Sequence, residues 1–184
     1  MPYLNTKILN SILDDLGEDK SEYNTFIESG TYGGGTVTAL YDEFESLYTV
    51  ELSEKYYQHF DEIKKNNNYE KITNYFGDTV DILPALLQTL KSKERSIFWL
   101  DGHWSSGDTA KGKKDCPLIE ECEHIDYFYK PDKGIILIDD YRLFGTFINE
   151  DWSDITLDKI ISCFKKHKIT YKIHDDIVSI HISK

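Results

Sequence analysis

The side chains best placed to do chemistry in this chain are acids that end apolar runs. Asp101 closes the run from Ser96, and Asp139 with Asp140 closes the run from Gly134. Carboxylates drawn into one cleft repel one another and raise each other's pKa values. A hard divalent cation resolves that repulsion, and Mg²⁺ favours such oxygen ligands, completed by water or substrate oxygens. The alternative is a solvated carboxylate rim in which Asp101 meets a cofactor amine. His103 stands two residues beyond Asp101. Its imidazole is the nearest group able to take a proton near neutral pH, and a role as an orienting residue beside a cofactor fits equally well.

A second constellation precedes these acids. Glu28-Ser29-Gly30-Thr31-Tyr32-Gly33-Gly34-Gly35-Thr36 is a glycine-rich turn that follows an apolar run and opens into a helical pattern. Glycine permits positive φ and close approach of a ligand, and a helix N-terminus offers free N–H groups to a carboxylate or phosphate. NAD and other nucleotide folds use such turns too. Glu51 ends the next apolar run, where an acid can accept both ribose hydroxyls; helix-dipole stabilisation is its other reading. Gly77-Asp78-Thr79 ends the third, and serves either to approach an adenine edge or to cap a helix.

The elements that must position these residues alternate. Strands are expected at Thr25 to Glu28, Leu47 to Glu51, Lys71 to Tyr75, Ser96 to Asp101 and Gly134 to Asp139, with helices beginning near Gly34, Ser53, Thr79 and Asp115. Asp115 is the expected N-cap of that last helix, with Pro117 in its first turn. A leading helix places Leu4, Ile8, Leu9, Ile12, Leu13 and Leu16 on one face and stops at Gly17. Alternation of this kind implies a parallel sheet covered by helices on both faces, with its chemistry at the strands' carboxyl ends. The ending differs: a helix from Ser153 to Lys166 leads to strands Ile169 to Ile173 and Ile177 to Ile182. The short connection between those strands makes an antiparallel hairpin.

With these elements in place, Phe26-Ile27-Glu28-Ser29-Gly30-Thr31-Tyr32-Gly33-Gly34-Gly35-Thr36 resembles the first motif of the class I methyltransferases, especially the catechol O-methyltransferase group. Thr49-Val50-Glu51-Leu52, Gly77 with Asp81-Ile82-Leu83-Pro84, and Leu100-Asp101-Gly102-His103-Trp104 are similar to that group's later motifs, in order. The resemblance covers residues 25 to 142. It implies an α/β, Rossmann-like, seven-stranded, mostly parallel sheet with an antiparallel C-terminal hairpin, S-adenosylmethionine (SAM) as cofactor, and methyl transfer. It further implies that Thr36 and the turn residues Glu28, Gly30, Tyr32 and Gly34 hold the methionine end. Glu51 would take the ribose, with Gly77, Asp78 and Thr79 at the adenine. Asp101, Asp139 and Asp140 match Mg²⁺ positions of the catechol, sugar and antibiotic O-methyltransferases, where the metal lowers the pKa of a substrate hydroxyl. Asp101, which also borders the cofactor, and His103 are then the catalytic candidates.

The chain departs from the catechol pattern. Ser105 and Ser106 stand where those enzymes carry a lysine, and the Asp139-Asp140 pair is closer to the sugar O-methyltransferases. A small hydroxylated acceptor, such as a sugar or sugar nucleotide, is therefore expected. The polar loop Ser105 to Lys114 suits such an acceptor, with Trp104, Tyr141, Arg142 and Trp152 as candidate lining. A metal-independent methyltransferase and a non-catalytic cofactor-binding partner subunit remain as alternatives.

Composition bounds the rest. The 184 residues, 40% hydrophobic and 14% aromatic, suit a single domain spanning 1–184. A net charge of −12 opposes nucleic-acid and anionic-membrane partners. The dense basic stretch Lys111, Lys113 and Lys114 is read as a solvated loop. Cys116, Cys122 and Cys163 are odd in number and lack paired spacing, which fits reduced thiols and a cytoplasmic location. No apolar run is long enough to span a bilayer. Either a monomer or a homo-oligomer is compatible with the sequence.

Overall fold

The computed structural model describes residues 3–105, 107 and 109–184; Ser106, one of the two serines at the lysine position, lies outside them. Helix α1 (Thr6–Leu16) begins where Asn5 Oδ1 accepts the amides of Lys7 and Ile8. It ends at Gly17, φ 73°, with Glu18 N–H returning to Leu13 O, so glycine sits where the left-handed turn requires it. The alternating units follow as β1 (Thr25–Ser29), α2 (Gly35–Ala39), β2 (Ser46–Glu51), α3 (Glu54–Asn66), β3 (Ile72–Phe76), α4 (Thr79–Thr89), β4 (Ser96–Leu100), α5 (Leu118–Phe128) and β5 (Lys133–Ile138). Then come α6 (Leu157–Cys163), β6 (Lys168–His174) and β7 (Ile177–Ser183).

The sheet order is β3-β2-β1-β4-β5-β7-β6. β1 to β5 pair in parallel, and β7 runs antiparallel to both β5 and β6. This is the expected seven-stranded, mostly parallel sheet with its C-terminal hairpin. Strands β1, β4 and β5 alternate their side chains between two cores. Phe26, Ile97, Trp99, Ile135 and Leu137 face α1 and α3, whereas Ile27, Phe98, Leu100, Ile136 and Ile138 face α4, α5 and α6. Burial on both faces explains why these runs are continuously apolar. The order reverses between β1 and β4, which opens a crevice at their carboxyl ends. The backbones approach closely there: a Cβ on Gly30 would stand 2.5 Å from Asp101 O.

Strand ends shift by at most one residue and α1 begins at Thr6 rather than at Tyr3; three further boundaries differ from expectation, each for a local reason. Pro117, not Asp115, is the N-cap of α5. A residue preceding proline is pushed out of the helical region, so Cys116 cannot begin the helix; Asp115 instead accepts Asp151 N–H at 3.0 Å and pairs with Lys111 at 2.7 Å. The last helix is shorter than Ser153 to Lys166. It starts after Thr156, whose Oγ1 accepts Lys159 N–H, and stops before the amides of Lys165, Lys166 and His167, which bond the Asp126 carboxylate. The hairpin turn contracts to Asp175-Asp176, with Asp175 at φ 53°. All three cysteines are buried and unpaired, and among the described residues no helix is long and apolar enough to cross a membrane.

Candidate functional site

A cavity of about 1060 Å³ runs along the carboxyl ends of β1, β2, β4 and β5. At one end lies the glycine turn. Gly30, Tyr32 and Gly34 all adopt positive φ, at 84°, 46° and 74°. Glu28, Gly30, Tyr32 and Thr36 line the cavity. Gly34 is not among the lining residues; its Cα backs onto Phe60, whose ring would be 2.2 Å from an added Cβ. The helix this turn opens, α2, has only five residues.

Glu51 ties the turn to the end of β2. Its Oε2 accepts Tyr32 N–H at 2.7 Å, and its Oε1 accepts Ser53 N–H at 2.7 Å. Each oxygen keeps a second lone pair, so ligand hydroxyls can still be received. Glu28 lies deeper. Its Oε2 accepts Thr49 Oγ1–H at 2.6 Å, and Thr49 shares a hydrogen bond with Thr31 at 2.5 Å. Burial pushes the Glu28 carboxyl up to about 8, opposed by the Thr49 bond and reinforced by the Glu51 charge. Asp78 and Thr79 line the same region. Gly77 is not a lining residue; it sits at φ 143° against Ile82. The segment around Gly112 packs on this side, since an added Cβ would lie 3.1 Å from Asp78 Oδ2 and 3.5 Å from Leu52. Residues 109–114 thus border the Asp78 end of the cavity. Lys113 and Lys114 border it, held near Asp81 and Glu120 respectively.

The other end is acidic. Asp101 follows β4 directly, and Asp139 and Asp140 follow β5. Desolvation in the crevice, then the charges of Asp139, Asp140 and Glu28, push the Asp101 carboxyl well above its ordinary range. Burial, with the Asp140 and Asp176 charges, pushes Asp139 up to about 6, although its Oδ1 accepts Asp140 N–H at 2.8 Å. Asp140 is held at φ 61°, a costly conformation for a side chain other than glycine and one that concentrates at functional sites. Arg142 bridges Asp140 and Asp176.

His103 stands among these acids. Its Nδ1 is 3.5 Å from Asp101 Oδ1, and its Nε2 is 3.3 Å from Asp140 Oδ2 and 3.6 Å from Glu150 Oε2. Desolvation, aided by the Arg142 charge, lowers its pKa against the pull of Asp140 and Glu150. The edge of Trp152 packs on the ring, with centroids 4.9 Å apart, and Trp152 Nε1–H donates to Glu150 Oε2 at 3.0 Å. Trp152 is thus a buried support rather than cavity lining, and Tyr141 packs on Phe144; Trp104 and Arg142 do face the cavity.

Asp101, Asp139 and Asp140 do not gather as one ligand group. Potential ligand atoms of Asp101, His103 and Asp140 lie within 4.8 Å of one another, as do those of Asp139, Asp140 and Asp176. Glu150 and Asp176 were not expected here. Asp176 had a signal: β7 pairs antiparallel with β5, so the hairpin turn necessarily returns beside the end of β5. Glu150 had none, because a loop acid carries no periodicity.

No protein-family model matches the chain, and no curated protein matches it. Solved structures do. A proposed rRNA methylase from Clostridium thermocellum is 15% identical, with TM-score 0.64 and full coverage of both chains. The O-methyltransferase TomG from Streptomyces achromogenes, solved with SAM, is 13% identical, with TM-score 0.63 over 100% of this chain and 82% of its own. A proposed Streptococcus mutans methyltransferase, solved with S-adenosylhomocysteine (SAH), is 13% identical, with TM-score 0.61 over 100% and 99%. The chain has the Rossmann-like fold that these methyltransferases share.

Proposed function

We propose that this protein is a SAM-dependent methyltransferase that methylates a hydroxyl of a small acceptor with the help of a divalent cation. The observation carrying the proposal is one cavity that joins a glycine turn, Glu51 and Asp78 at one end to Asp101, Asp139 and Asp140 at the other. In this reading the turn amides and Thr36 hold the methionine carboxylate, Glu51 the ribose and Asp78 the adenine edge. The sulfonium lies toward β4, where Glu28 and Asp101 favour positive charge. SAM brings its own leaving group, so the protein has to align the nucleophile, exclude water and assist deprotonation.

The acidic end fits Mg²⁺ or a similar ion. Burial and mutual repulsion hold Asp101 and Asp139 above the ordinary carboxylate range, a strain that a bound cation relieves. Asp140, which belongs to both ligand groups, would hold it together with either Asp101 or Asp139, and when bound it would lower the pKa of an acceptor hydroxyl. His103 is close enough to Asp101 and Asp140 either to take the proton or to join the ligands. The net charge of −12 supports a small acceptor over RNA.

The test is transfer of labelled methyl from SAM to a panel of hydroxylated metabolites, sugars and sugar nucleotides included, with and without EDTA. Transfer abolished by EDTA and restored by Mg²⁺ is expected. Undiminished transfer in excess EDTA sinks the metal role, and transfer to RNA alone sinks the small-acceptor role. Asp140→Ala is expected to spare SAM affinity while removing turnover.

A further inference from the structure

We propose that His103 is itself a metal ligand, so that the cation site at the ends of β4 and β5 is an Asp101–His103–Asp140 set that prefers a transition ion such as Mn²⁺ over Mg²⁺. This rests on the reading that a divalent cation occupies the acidic end. The His103 side chain is 9% exposed and faces the cavity. Among the described residues its ring nitrogens are engaged only at ion-pair range, 3.3 to 3.6 Å from carboxylate oxygens. Those separations exceed the ~2.7–2.9 Å of a charge-assisted hydrogen bond. The 3.3 Å from Nε2 to Asp140 Oδ2 matches instead the spacing of two ligands on one ion, since bonds of ~2.1 Å place neighbouring donors ~3.0 Å apart at octahedral angles and ~3.4 Å at tetrahedral ones; a ligand atom of Asp101 lies within 4.8 Å of the other two.

The remaining contacts sort the acids. Asp140 Oδ1 is taken by Arg142, which leaves Oδ2 toward the imidazole. Asp139 spends Oδ1 on Asp140 N–H and groups with Asp176 rather than with His103. Trp152 packs on the imidazole edge-on and holds Glu150 beside Nε2, which restricts ring rotation; neighbours of this kind commonly orient ligating histidines. An imidazole nitrogen in the donor set shifts selectivity away from Mg²⁺, which binds nitrogen poorly.

The experiment is pulsed electron paramagnetic resonance of the full chain loaded with Mn²⁺ alone, which needs no acceptor and no turnover. Nitrogen modulation from one imidazole is expected, and it changes to the ¹⁵N pattern in protein labelled with ¹⁵N-histidine, a control that needs no mutation. His103→Gln is expected to remove the modulation and weaken Mn²⁺ binding at least ~10-fold, while Asp139→Asn retains the modulation. Mn²⁺ bound without nitrogen modulation, or bound equally by His103→Gln, overturns the inference and leaves the cation reading standing. Failure of both Mn²⁺ and Mg²⁺ to bind at millimolar concentration overturns the two together.

Discussion

Replacing Glu28 with Gln isolates the energetic consequence of burying an acid beneath the glycine turn. The Glu28 side chain is 2% exposed, and burial raises its pKa from 4.5 to about 8. Between those values the folded chain keeps a proton that the unfolded chain releases, so folding stability must fall as pH rises. Glu28 therefore destabilises the fold little at pH 5 and most above pH 8. With both pKa values in the linkage relation, the loss from pH 5 to pH 8.5 is about 4 kcal/mol. Glutamine keeps the shape and can still accept the Thr49 hydroxyl, but cannot ionise. Urea unfolding of both proteins at the two pH values measures the effect. Glu28→Gln is expected to gain on the wild type by several kcal/mol on moving to pH 8.5. A stability difference that does not change with pH would refute the assignment of a buried, protonated carboxyl.

Other expectations follow from the same geometry. Binding of cationic SAM at pH 7 should release a proton as Glu28 ionises, seen as a buffer-dependent calorimetric enthalpy; identical enthalpies in phosphate and Tris would contradict it. Gly34→Ala meets Phe60 at 2.2 Å and a φ of 74°, so it should cost about 2–4 kcal/mol. Gly33→Ala, with nothing within 4 Å, should stay within about 0.5 kcal/mol, and chemical denaturation of the pair checks both. Asp126→Ala strips the partner from three backbone amides and His167, and should lower stability by about 3 kcal/mol. Burial opposes ionisation of Asp126, but His167 and those amides prevail and hold its pKa below 3.8. Its stabilisation is thus present above pH 3.8 and lost as pH falls through the lower folded value, so the wild-type advantage should vanish in acid.

What was legible in the sequence is what periodicity and local chemistry encode. The apolar runs of β1, β4 and β5 are buried on both faces, so their continuous hydrophobicity identified them. The glycine turn announced itself because only glycine takes φ of 84° and 74° at Gly30 and Gly34 without strain. Local competition moved the boundaries: Pro117 forbids an earlier start to α5, and the Asp126 carboxylate captures amides that a longer α6 would need. At the site, strand ends located Asp101, Asp139 and Asp140 but not how they divide. That division depends on the Asp140 backbone at φ 61°, on Arg142 bridging to Asp176, and on Trp152 carrying Glu150 to His103. All three are tertiary outcomes of loops with no repeating pattern to betray them.

In the proposed function the glycine turn, Glu51 and Asp78 make one nucleoside–methionine site. Titration calorimetry of the full chain with SAM, SAH and NAD, repeated on Glu51→Ala, tests it most directly. Saturable binding of SAM and SAH, no comparable binding of NAD, and a loss of at least ~10-fold in SAM affinity for Glu51→Ala are the predicted results. NAD binding as tightly as SAM, or Glu51→Ala binding SAM as well as the wild type, would rule out this site as the SAM pocket.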